Sequence, residues 1–441
     1  MSVTATAAKL DRQVFETSRE LEFFSEKELM MQIGYDQDLW PIALLKELLD
    51  NALDACEVAG IAPQIEVKIT KNSFSVADNG PGLPEATMLR SMDYLVRVTD
   101  KAYYVSPTRG QMGNALKAVW AAGFVAHGNG IIEVVTGGQH HTVTVSLDRI
   151  GQKPRMVHEV EKDGFVKSGT FIKIAWPDSS GRLLGDDLSF YNERWEAGRL
   201  IESYAAFNPH ATFKLNSKVY ERTDPSWPKW RPDDPTSPHW YTKETLRDLI
   251  AAYVAEERRH NEKTKTVRAF VSEFRGLTST IRQKKITTEY SGVYLQDMVK
   301  DDDIDPAFVE KLLADMKAES KPPKPAKLGI IGKEHLMQWM IKNGGAAEKS
   351  IKYKRTIATD EDGMPYVIEV AFGVHKKDEK SSRRILRTGM NWTPALGDPI
   401  PTLTRVIQEM RIDSHDPVTL LVHLARPRFE FVDRGKTRVD W

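Results

Sequence analysis

Three short segments in the first 170 residues place carboxylates, amides and glycines at spacings that suit nucleotide chemistry. The segment ELLDNALDA spans residues 47–55, and its helical pattern puts Glu47 and Asn51 on one face. The segment DNGPG, at residues 78–82, directly follows a strand-like run, and RGQMG, at residues 109–113, precedes a helical run. Carboxylates, amides and glycine-rich loops together can form a site for a phosphorylated ligand and its cation.

Glu47 and Asn51 carry the groups that nucleotide hydrolysis requires. Hydrolysis needs a base that orients water at the γ-phosphate and an oxygen ligand for Mg²⁺, and the two residues suit these tasks in that order. A positioned base contributes roughly 10²–10⁴ to the rate. The alternative is a solvated polar helix face, which this segment taken alone favours. Asp50 and Asp54, on the same helix, are predicted to be structural or supporting.

The DNGPG segment has the composition of an adenine pocket. The Asp78 carboxylate can accept a hydrogen bond from the exocyclic amine of adenine, and Gly80 and Gly82 allow the backbone to approach the base and ribose. The alternative is an ordinary turn. Thr170 follows Gly169 at the start of a later strand, and its hydroxyl can complete the pocket, although β-branched residues are common at strand starts. The motifs are specific only as a set, in this order.

The RGQMG segment is predicted to bind phosphates, because backbone N–H groups at a glycine-rich helix N-terminus form an anion site. Lys117, one turn into the following helix, is either a phosphate contact or a solvated lysine, and the sequence does not decide between them. The nucleotide contacts predicted here are Arg109, Gly110, Gln111, Met112, Gly113, Asn114 and Lys117.

These motifs require a helix and several strands to position them. Leucines at spacings of three and four predict a helical stretch over residues 21–59, which Gly60 and Pro63 end. Alternating or β-rich runs predict strands at residues 65–69, 73–77, 131–135, 141–147 and 170–175. A helix, strands, a glycine-rich loop and further strands indicate an α/β sandwich.

Two further regions follow. A Pro-, Trp- and Asp-rich linker begins at residues 222–225, and helical patterns at residues 241–260 and 306–319 predict an α-rich middle region. The segment KPPKP, at residues 321–325, is predicted to be a stiff tether. Beyond it, strand-like runs at residues 366–372 and 419–424 and a helix near residues 403–410 predict an α+β region. The predicted boundaries are an N-terminal arm at 1–20, an α/β domain at 21–228, a helical domain at 229–326 and an α+β domain at 327–441.

Composition limits the possible functions. The 441 residues contain 62 Lys+Arg and 62 Asp+Glu, so nucleic acid would have to be bound by local basic patches and not by the field of the whole molecule. Such a patch is either present in the middle region, at Arg275, Arg282, Lys284 and Lys285, or these residues form a solvated loop. Cys56, the single cysteine, is predicted to be a buried thiol in a reducing compartment. The sequence lacks a signal-like or long apolar segment, which predicts a soluble cytoplasmic protein with no membrane contact.

The motifs together resemble the nucleotide site of the GHKL ATPases, the family of gyrase, MutL, histidine kinases and heat-shock chaperone ATPases. Longer segments resemble the B-subunit family of DNA topoisomerase VI, and the resemblance covers almost the whole chain. These segments are residues 47–60 (ELLDNALDACEVAG), 78–84 (DNGPGLP), 108–118 (TRGQMGNALKA), 207–211 (FNPHA), 328–336 (LGIIGKEHL), 366–372 (YVIEVAF), 387–394 (RTGMNWTP) and 422–436 (VHLARPRFEFVDRGK).

The resemblance implies a fold and a role for each motif. The fold would be a Bergerat (GHKL) α/β sandwich, a helix–two-turns–helix-like middle domain and a transducer domain of the ribosomal protein S5-like α+β type. Glu47 would be the general base, Asn51 the Mg²⁺ ligand, and Lys436 a switch lysine that reaches the γ-phosphate, although by itself Lys436 is a surface lysine. The remaining implied contacts are Asp78 and Thr170 to adenine, Gly80 and Gly82 shaping the pocket, and Gly110, Gln111 and Gly113 around the phosphates.

The resemblance also implies partners. An ATP-hydrolysing subunit of this kind would form a homodimer on ATP binding, clamp double-stranded DNA and drive a separate topoisomerase VI A-like cleavage subunit, in the cytoplasm or, in a prokaryote, at the nucleoid. The chain departs from the family at two places, and the second favours an alternative, a stand-alone GHKL ATPase switch or clamp in DNA maintenance or defence without strand passage. Ala115 replaces a glycine of the family's phosphate loop, and Trp441 lies five residues after Lys436, where the family continues into a stalk helix.

Overall fold

The computed structural model describes residues 19–95, 103–109, 115–162, 168–185, 196–376, 383–397, 399–431 and 439–440. Its α-helices are α1 (Glu26–Ile33), α2 (Trp40–Val58), α3 (Glu85–Ser91), α4 (Ala115–His127), α5 (Ser179–Leu183), α6 (Ala197–Phe207), α7 (Lys243–Arg259), α8 (Val267–Ser272), α9 (Thr280–Ile286), α10 (Pro306–Ala318), α11 (Lys333–Lys342) and α12 (Pro401–Glu409). None of the helices in these residues is long and apolar enough to cross a bilayer.

The strands form two large sheets and two small pairs. They are β1 (Gln64–Ile69), β2 (Ser73–Ala77), β3 (Gly130–Thr136), β4 (Gln139–Asp148), β5 (Lys153–Lys162), β6 (Thr170–Ala175), β7 (Thr212–Leu215), β8 (Lys218–Tyr220), β9 (Val299–Lys300), β10 (Asp303–Ile304), β11 (Lys352–Thr359), β12 (Pro365–Val374), β13 (Ile385–Met390), β14 (Thr393–Pro394), β15 (Val418–Ala425), β16 (Glu430–Phe431) and β17 (Val439–Asp440).

The N-terminal sheet has eight strands in the order β5-β4-β3-β6-β2-β1-β7-β8. All neighbours are antiparallel except β1 and β7, which run parallel. Helices α2, α4 and α6 pack on this sheet, and their buried leucines, alanines and aromatic residues form most of its core. The predicted α/β layering of this region is confirmed. The central neighbours β2 and β6 bring the DNGPG turn beside the start of Thr170–Ala175.

The helical stretch predicted over residues 21–59 is interrupted in the structure. A 3₁₀ helix, Arg19–Phe24, precedes α1, whose first turn is capped by the Ser25 hydroxyl. Gly34, at φ +83°, ends α1 in the left-handed conformation that glycine adopts without steric cost. Helix α2 then begins at Trp40, with Pro41 in its first turn, where proline is tolerated because no N–H is needed. The apolar periodicity continues across this break, so periodicity alone did not reveal it.

The middle and C-terminal regions are helical and α+β in composition. Helix α7 packs against α10 and against β10 of the short β9–β10 pair, and Thr242 and Thr245 form a capping box at the start of α7. The C-terminal sheet has the order β11-β12-β15-β13-β14, with β13 and β15 parallel. A continuous cluster of buried side chains extends from Phe24 to Ala425, so all three regions contribute to one core.

Candidate active site

A cavity of about 1100 Å³ lies where the three regions meet. Its walls come from α2, the ends of β2 and β6, residues 104–109, residues 232–236 and residues 390–396. The volume is at the upper end of the range of small-molecule sites. Six of the residues predicted to act on or contact nucleotide or metal line it, namely Glu47, Asn51, Asp78, Gly82, Arg109 and Thr170. The fold therefore brings three separate sequence motifs to one place.

Asp78 is held rigidly at the end of β2. Its Oδ1 accepts hydrogen bonds from the backbone N–H groups of Gly80 (2.8 Å) and Thr170 (3.2 Å), and its own N–H donates to the Thr170 carbonyl (2.9 Å). Burial raises the pKa of Asp78, while the hydrogen bonds from Gly80 and Thr170 act in the opposite direction. A half-buried carboxylate fixed in this way is suited to accept from one specific donor of a ligand.

Close backbone approaches shape the same wall of the cavity. Gly169 has φ +84°, and a Cβ there would lie 2.1 Å from the Asp78 carbonyl oxygen. At Gly82, with φ +98°, a Cβ would lie 2.8 Å from the Thr136 hydroxyl oxygen. That hydroxyl accepts from the Leu83 N–H (2.8 Å) and so fixes the turn that follows Gly82. These positions therefore require glycine for steric reasons.

Helix α2 presents the predicted catalytic pair to the cavity. Glu47 is half-buried and Asn51 is exposed, and both line the cavity from the same helix face. Asp50 and Asp54 are buried. Exposure of Asn51 next to a half-buried carboxylate leaves both side chains accessible to a ligand, whereas the buried aspartates bind protein groups.

Arg109 is fully enclosed by protein groups. Its guanidinium donates to Asp54 (3.0 Å) and Glu57 (2.8 Å) of α2, and also to the side-chain oxygen of Asn208. The neighbouring carboxylates raise its pKa against the effect of burial. Both terminal nitrogens of Arg109 are bound to protein groups, and Arg109 also lines the cavity, so its role as a direct nucleotide contact stays a prediction. The same residue ties the segment before the predicted phosphate loop to α2.

Glu57 is the centre of this buried charge cluster. Besides Arg109, it accepts from His210 Nε2 (2.9 Å) and pairs with Lys229 (2.5 Å). Burial raises the pKa of Glu57, but the positive charges of Arg109 and Lys229 outweigh it and hold that pKa well below its usual range. Burial lowers the pKa of Lys229 to about 8. A buried carboxylate with several cationic partners is stable only while those partners stay in place.

The C-terminal region binds directly to α2. Thr393 donates its hydroxyl to Asp50 Oδ1 (2.7 Å), which also accepts from the Tyr204 hydroxyl (2.7 Å). Trp392 is completely buried; its ring centroid lies 3.9 Å from the Lys229 ammonium, and its carbonyl accepts from Asn208 (2.8 Å). The helix that carries Glu47 and Asn51 is thus attached to the C-terminal sheet through buried polar groups.

Lys117 and Cys56 are both buried. Lys117 donates to the Asp93 carbonyl (2.6 Å), and its ammonium lies 5.6 Å from the ring centroid of Tyr94. The alternative of a solvated lysine is therefore wrong, and a phosphate contact for Lys117 stays a prediction. The prediction of a buried thiol at Cys56 is confirmed, and burial raises the pKa of Cys56 to about 12, so the thiol is not activated as a nucleophile.

Some predicted contacts lie outside the described residues. These are Gly110, Gln111, Met112, Gly113 and Asn114 of the predicted phosphate loop, and Lys436. The described residues on both sides of the loop are Arg109 and Ala115, the first residue of α4. Phe431, which lines the cavity, is the last described residue before the segment that contains Lys436.

The described part of the chain contains no group of three or more His, Cys, Asp or Glu side chains arranged to hold a metal ion. Asn51 offers one oxygen in the cavity. Mg²⁺ commonly binds through one or two protein oxygens together with substrate phosphates and water. The residues present therefore suit a Mg²⁺ ion that arrives with a nucleotide.

Sequence reasoning did not assign the charge cluster. Glu57 lies in the stretch predicted to be helical, Asn208 and His210 lie in a segment that was recognised only by resemblance, and Lys229 lies at the predicted start of the helical domain. The only local signal was their polarity within otherwise apolar stretches, which does not name a partner. Thr136, whose hydroxyl fixes the turn after Gly82, gave no sequence signal at all.

Comparisons with known proteins indicate the class of protein. Residues 37–150 match the family described as histidine kinase-, DNA gyrase B- and HSP90-like ATPase. The B subunit of type 2 DNA topoisomerase 6 of Archaeoglobus fulgidus is 24% identical over 95% of this chain and 69% of its own length. The subunit of the same name from Pyrococcus horikoshii is 28% identical over 60% of this chain, and the match spans 45% of that protein.

One solved structure, the ATPase region of Saccharomyces cerevisiae topoisomerase II, aligns with 90% of this chain and 76% of its own, at 12% identity and a TM-score of 0.39. That score is too low to support any conclusion about function. The family match, the sequence similarity to the archaeal topoisomerase subunits and the cavity that joins the motifs instead agree on one class of protein. Residues 37–150 thus resemble the histidine kinase-, DNA gyrase B- and HSP90-like ATPases, and the chain is an ATP-hydrolysing protein that is similar over nearly its whole length to the B subunit of type 2 DNA topoisomerase 6.

Proposed function

We propose that ATP binds in the cavity with its adenine at Asp78 and Thr170 and its phosphates at residues 110–113. Glu47 orients the attacking water, and Asn51 supplies the protein oxygen for Mg²⁺. The observation that carries this proposal is the convergence of Glu47, Asn51, Asp78 and Thr170 on one cavity. Mg²⁺, when bound with the nucleotide, would neutralise charge on the phosphates.

We further propose that ATP couples the three regions to one another. The cavity is lined by the N-terminal sheet region, by residues 232–236 and by residues 390–396, so a ligand there contacts all three regions. Lys436, five residues after Phe431 at the cavity wall, would reach the γ-phosphate as a point charge. ATP would thereby draw the C-terminal region onto the N-terminal one and favour a closed homodimer.

The proposed biological task is that of a topoisomerase VI B-like subunit, which clamps duplex DNA and drives a separate cleavage subunit. The similarity to the archaeal protein over nearly the whole chain supports it. Sequence-independent DNA binding by residues such as Arg275 and Arg282 would weaken steeply as salt concentration rises.

Glu47→Gln tests the site directly. The variant should lose roughly 10²–10⁴ of the hydrolysis rate, because the base that orients water is removed, while ATP affinity stays within about twofold. Phosphate release measures the first quantity, and binding of a fluorescent ATP analogue measures the second. Glu361→Gln, at an exposed glutamate between β11 and β12, is the matched control and should hydrolyse ATP normally. Loss of nucleotide binding in Glu47→Gln would contradict the assignment of Glu47 as base.

Relaxation of supercoiled DNA tests the biological task. The chain is mixed with a candidate topoisomerase VI A-like protein, and ATP-dependent relaxation is expected, with none when Glu47→Gln replaces the wild type. Size-exclusion chromatography with light scattering, with and without a non-hydrolysable ATP analogue, measures dimerisation in parallel. Normal ATP hydrolysis and dimerisation without relaxation would favour the switch or clamp that acts without strand passage.

A further inference from the structure

Residues 103–109 lead directly into the predicted phosphate loop, residues 110–114. Side chains of the middle region form hydrogen bonds with the backbone of residues 103–109. Val105 donates its N–H to the Tyr241 hydroxyl (3.0 Å), and the Thr236 hydroxyl donates to the Val105 carbonyl (2.6 Å). All three residues are buried. Both backbone hydrogen-bonding groups of Val105 are thus fixed by side chains that lie more than 100 residues away in the chain.

A series of side-chain hydrogen bonds also connects the middle region to the neighbouring residue, Tyr104. The Tyr253 hydroxyl of α7 donates to Glu273 (2.7 Å), and it is also hydrogen-bonded to the Tyr104 hydroxyl. Because Tyr253 has only one hydroxyl hydrogen, Tyr104 must donate in the second bond. Lys265 pairs with Glu273 and holds the far end of this series. Tyr253 is therefore the link through which the middle region holds Tyr104.

The opposite end of the segment is attached to the catalytic helix. Arg109 binds Asp54 and Glu57 of α2, the helix that presents Glu47 and Asn51. The segment is thus anchored at its start by the middle region and at its end by α2. A loop whose flanking residues are already ordered loses less conformational entropy when it binds phosphate.

We propose that Tyr253 is a positioning residue for ATP binding, which through Tyr104 sets the segment that carries the phosphate loop, so that the middle region controls nucleotide affinity. This inference rests on the proposed role of residues 110–113 in binding phosphates. Tyr253 contacts neither α2 nor the adenine wall in the described contacts, so its loss should affect phosphate binding more than the chemical step. The half-buried position of Tyr253 makes it a better test than the fully buried Tyr241.

The test is steady-state ATP hydrolysis by the full chain carrying Tyr253→Phe. The KM for ATP should rise about two- to tenfold, as expected for the loss of one or two hydrogen bonds, while kcat stays within about twofold. Tyr104→Phe should raise the KM for ATP by the same factor. The KM of the double variant should be no higher than that of either single variant, because both substitutions remove the same hydrogen bond between Tyr104 and Tyr253. Tyr103→Phe is the matched control with an unchanged KM, since the described residues contain no hydrogen-bond partner for that exposed hydroxyl.

A second variant distinguishes failure of the positioning role of Tyr253 from failure of the proposed phosphate loop. Gly113→Val is measured in parallel and should strongly weaken ATP binding. If it does so while Tyr253→Phe leaves KM unchanged, or lowers only kcat and the melting temperature, the positioning role is overturned and the site survives. Independent, multiplying effects of Tyr104→Phe and Tyr253→Phe would overturn it as well. Normal ATP binding by Gly113→Val would overturn both the phosphate loop and the inference.

Discussion

At the scale of single residues, the site depends on polar groups whose environment is set by backbone geometry. Asp78 has an ordinary aspartate side chain, but two backbone N–H groups fix its Oδ1 and burial raises its pKa. All four polar residues Glu47, Asp50, Asn51 and Asp54 line the cavity, but Asp50 and Asp54 are buried and bind protein partners, whereas Glu47 and Asn51 are more exposed. Carboxylates of one helix thus remain accessible at one position and hold protein groups at another.

The raised pKa of Asp78 predicts a pH dependence of ATP binding. As pH falls, Asp78 becomes protonated at a higher pH than an aspartate with the ordinary value of 3.8, and a protonated carboxyl group is a poorer acceptor for adenine. Asp78→Asn should weaken ATP binding about tenfold near neutral pH, since hydrogen bonds to charged groups are the stronger ones. Calorimetric titrations should show the advantage of the wild type over Asp78→Asn shrinking as pH is lowered. A constant ratio down to the acid limit of the folded state would contradict this role.

At the scale of elements, the pairing of β2 with β6 builds the cavity wall that we propose to hold adenine. The two strands were predicted at residues 73–77 and 170–175, and the structure pairs them so that Ala77 lies opposite Phe171. The turn after β2 and the residues before β6 then lie against each other, which is possible only because Gly169 has no side chain.

Gly169→Ala should disrupt this wall. The new Cβ would lie 2.1 Å from the Asp78 carbonyl oxygen, so β2 and β6 must separate locally. Gly137→Ala is the matched control, because Gly137 also has a positive φ but a Cβ added there would meet no described atom within 4 Å. Gly169→Ala should cost about 1–3 kcal/mol more than the control in urea unfolding, and it should weaken ATP binding, which the control should not. Equal stability of the two variants would contradict the packing argument.

Sequence patterns predicted some elements better than others, for physical reasons. Strands β2 and β6 were predicted at their observed bounds because each has a β-rich run next to a glycine turn. Strand β5 was missed because it is a charged edge strand with mostly exposed side chains, which need not alternate. The break between α1 and α2 was missed because apolar spacing continues through it.

At the scale of the whole molecule, three regions of the chain share one core and one cavity. Asp50 of α2 accepts a hydrogen bond from Thr393, 343 residues later, and Glu57 pairs with Lys229 of the linker. Asp50 and Glu57 are buried, so a shift of Thr393 or Lys229 relative to α2 would take partners away from buried carboxylates, at a cost of several kcal/mol. The contacts therefore favour movement of the regions as coupled units.

Lys436→Ala tests whether the C-terminal region contributes to turnover. We expect kcat to fall at least tenfold with little change in the melting temperature, because the lysine would contact the γ-phosphate and not the core. Hydrolysis is measured at saturating ATP, and ADP affinity should change little. Lys354→Ala, at an exposed lysine on β11, serves as the control for loss of a positive charge. Unchanged turnover in Lys436→Ala would show that Lys436 has no role in hydrolysis and is an ordinary surface lysine.

The sequence by itself determined the type of chemistry and the order of the parts. Carboxylates, glycines and strand patterns at residues 47–55, 78–82 and 168–170 are local signals, because a turn, a helix face and a close backbone approach each depend on a few adjacent residues. Each signal alone was ambiguous, and the set in this order, with its resemblance to a known family, predicted an ATP site. The family match over residues 37–150 confirms that class of ATPase.

Only the tertiary structure decided which polar residues stay accessible in the cavity and which bind other protein groups. Arg109 finds its carboxylate 52 residues earlier and its amide partner 99 residues later, and no local pattern encodes such pairs. A buried charge must find partners of opposite charge wherever the fold brings them, because the interior solvates it poorly. The fold also places Tyr253 against Tyr104 and Thr393 against Asp50. The positions of the motifs in the first 170 residues therefore depend on contacts with the rest of the chain.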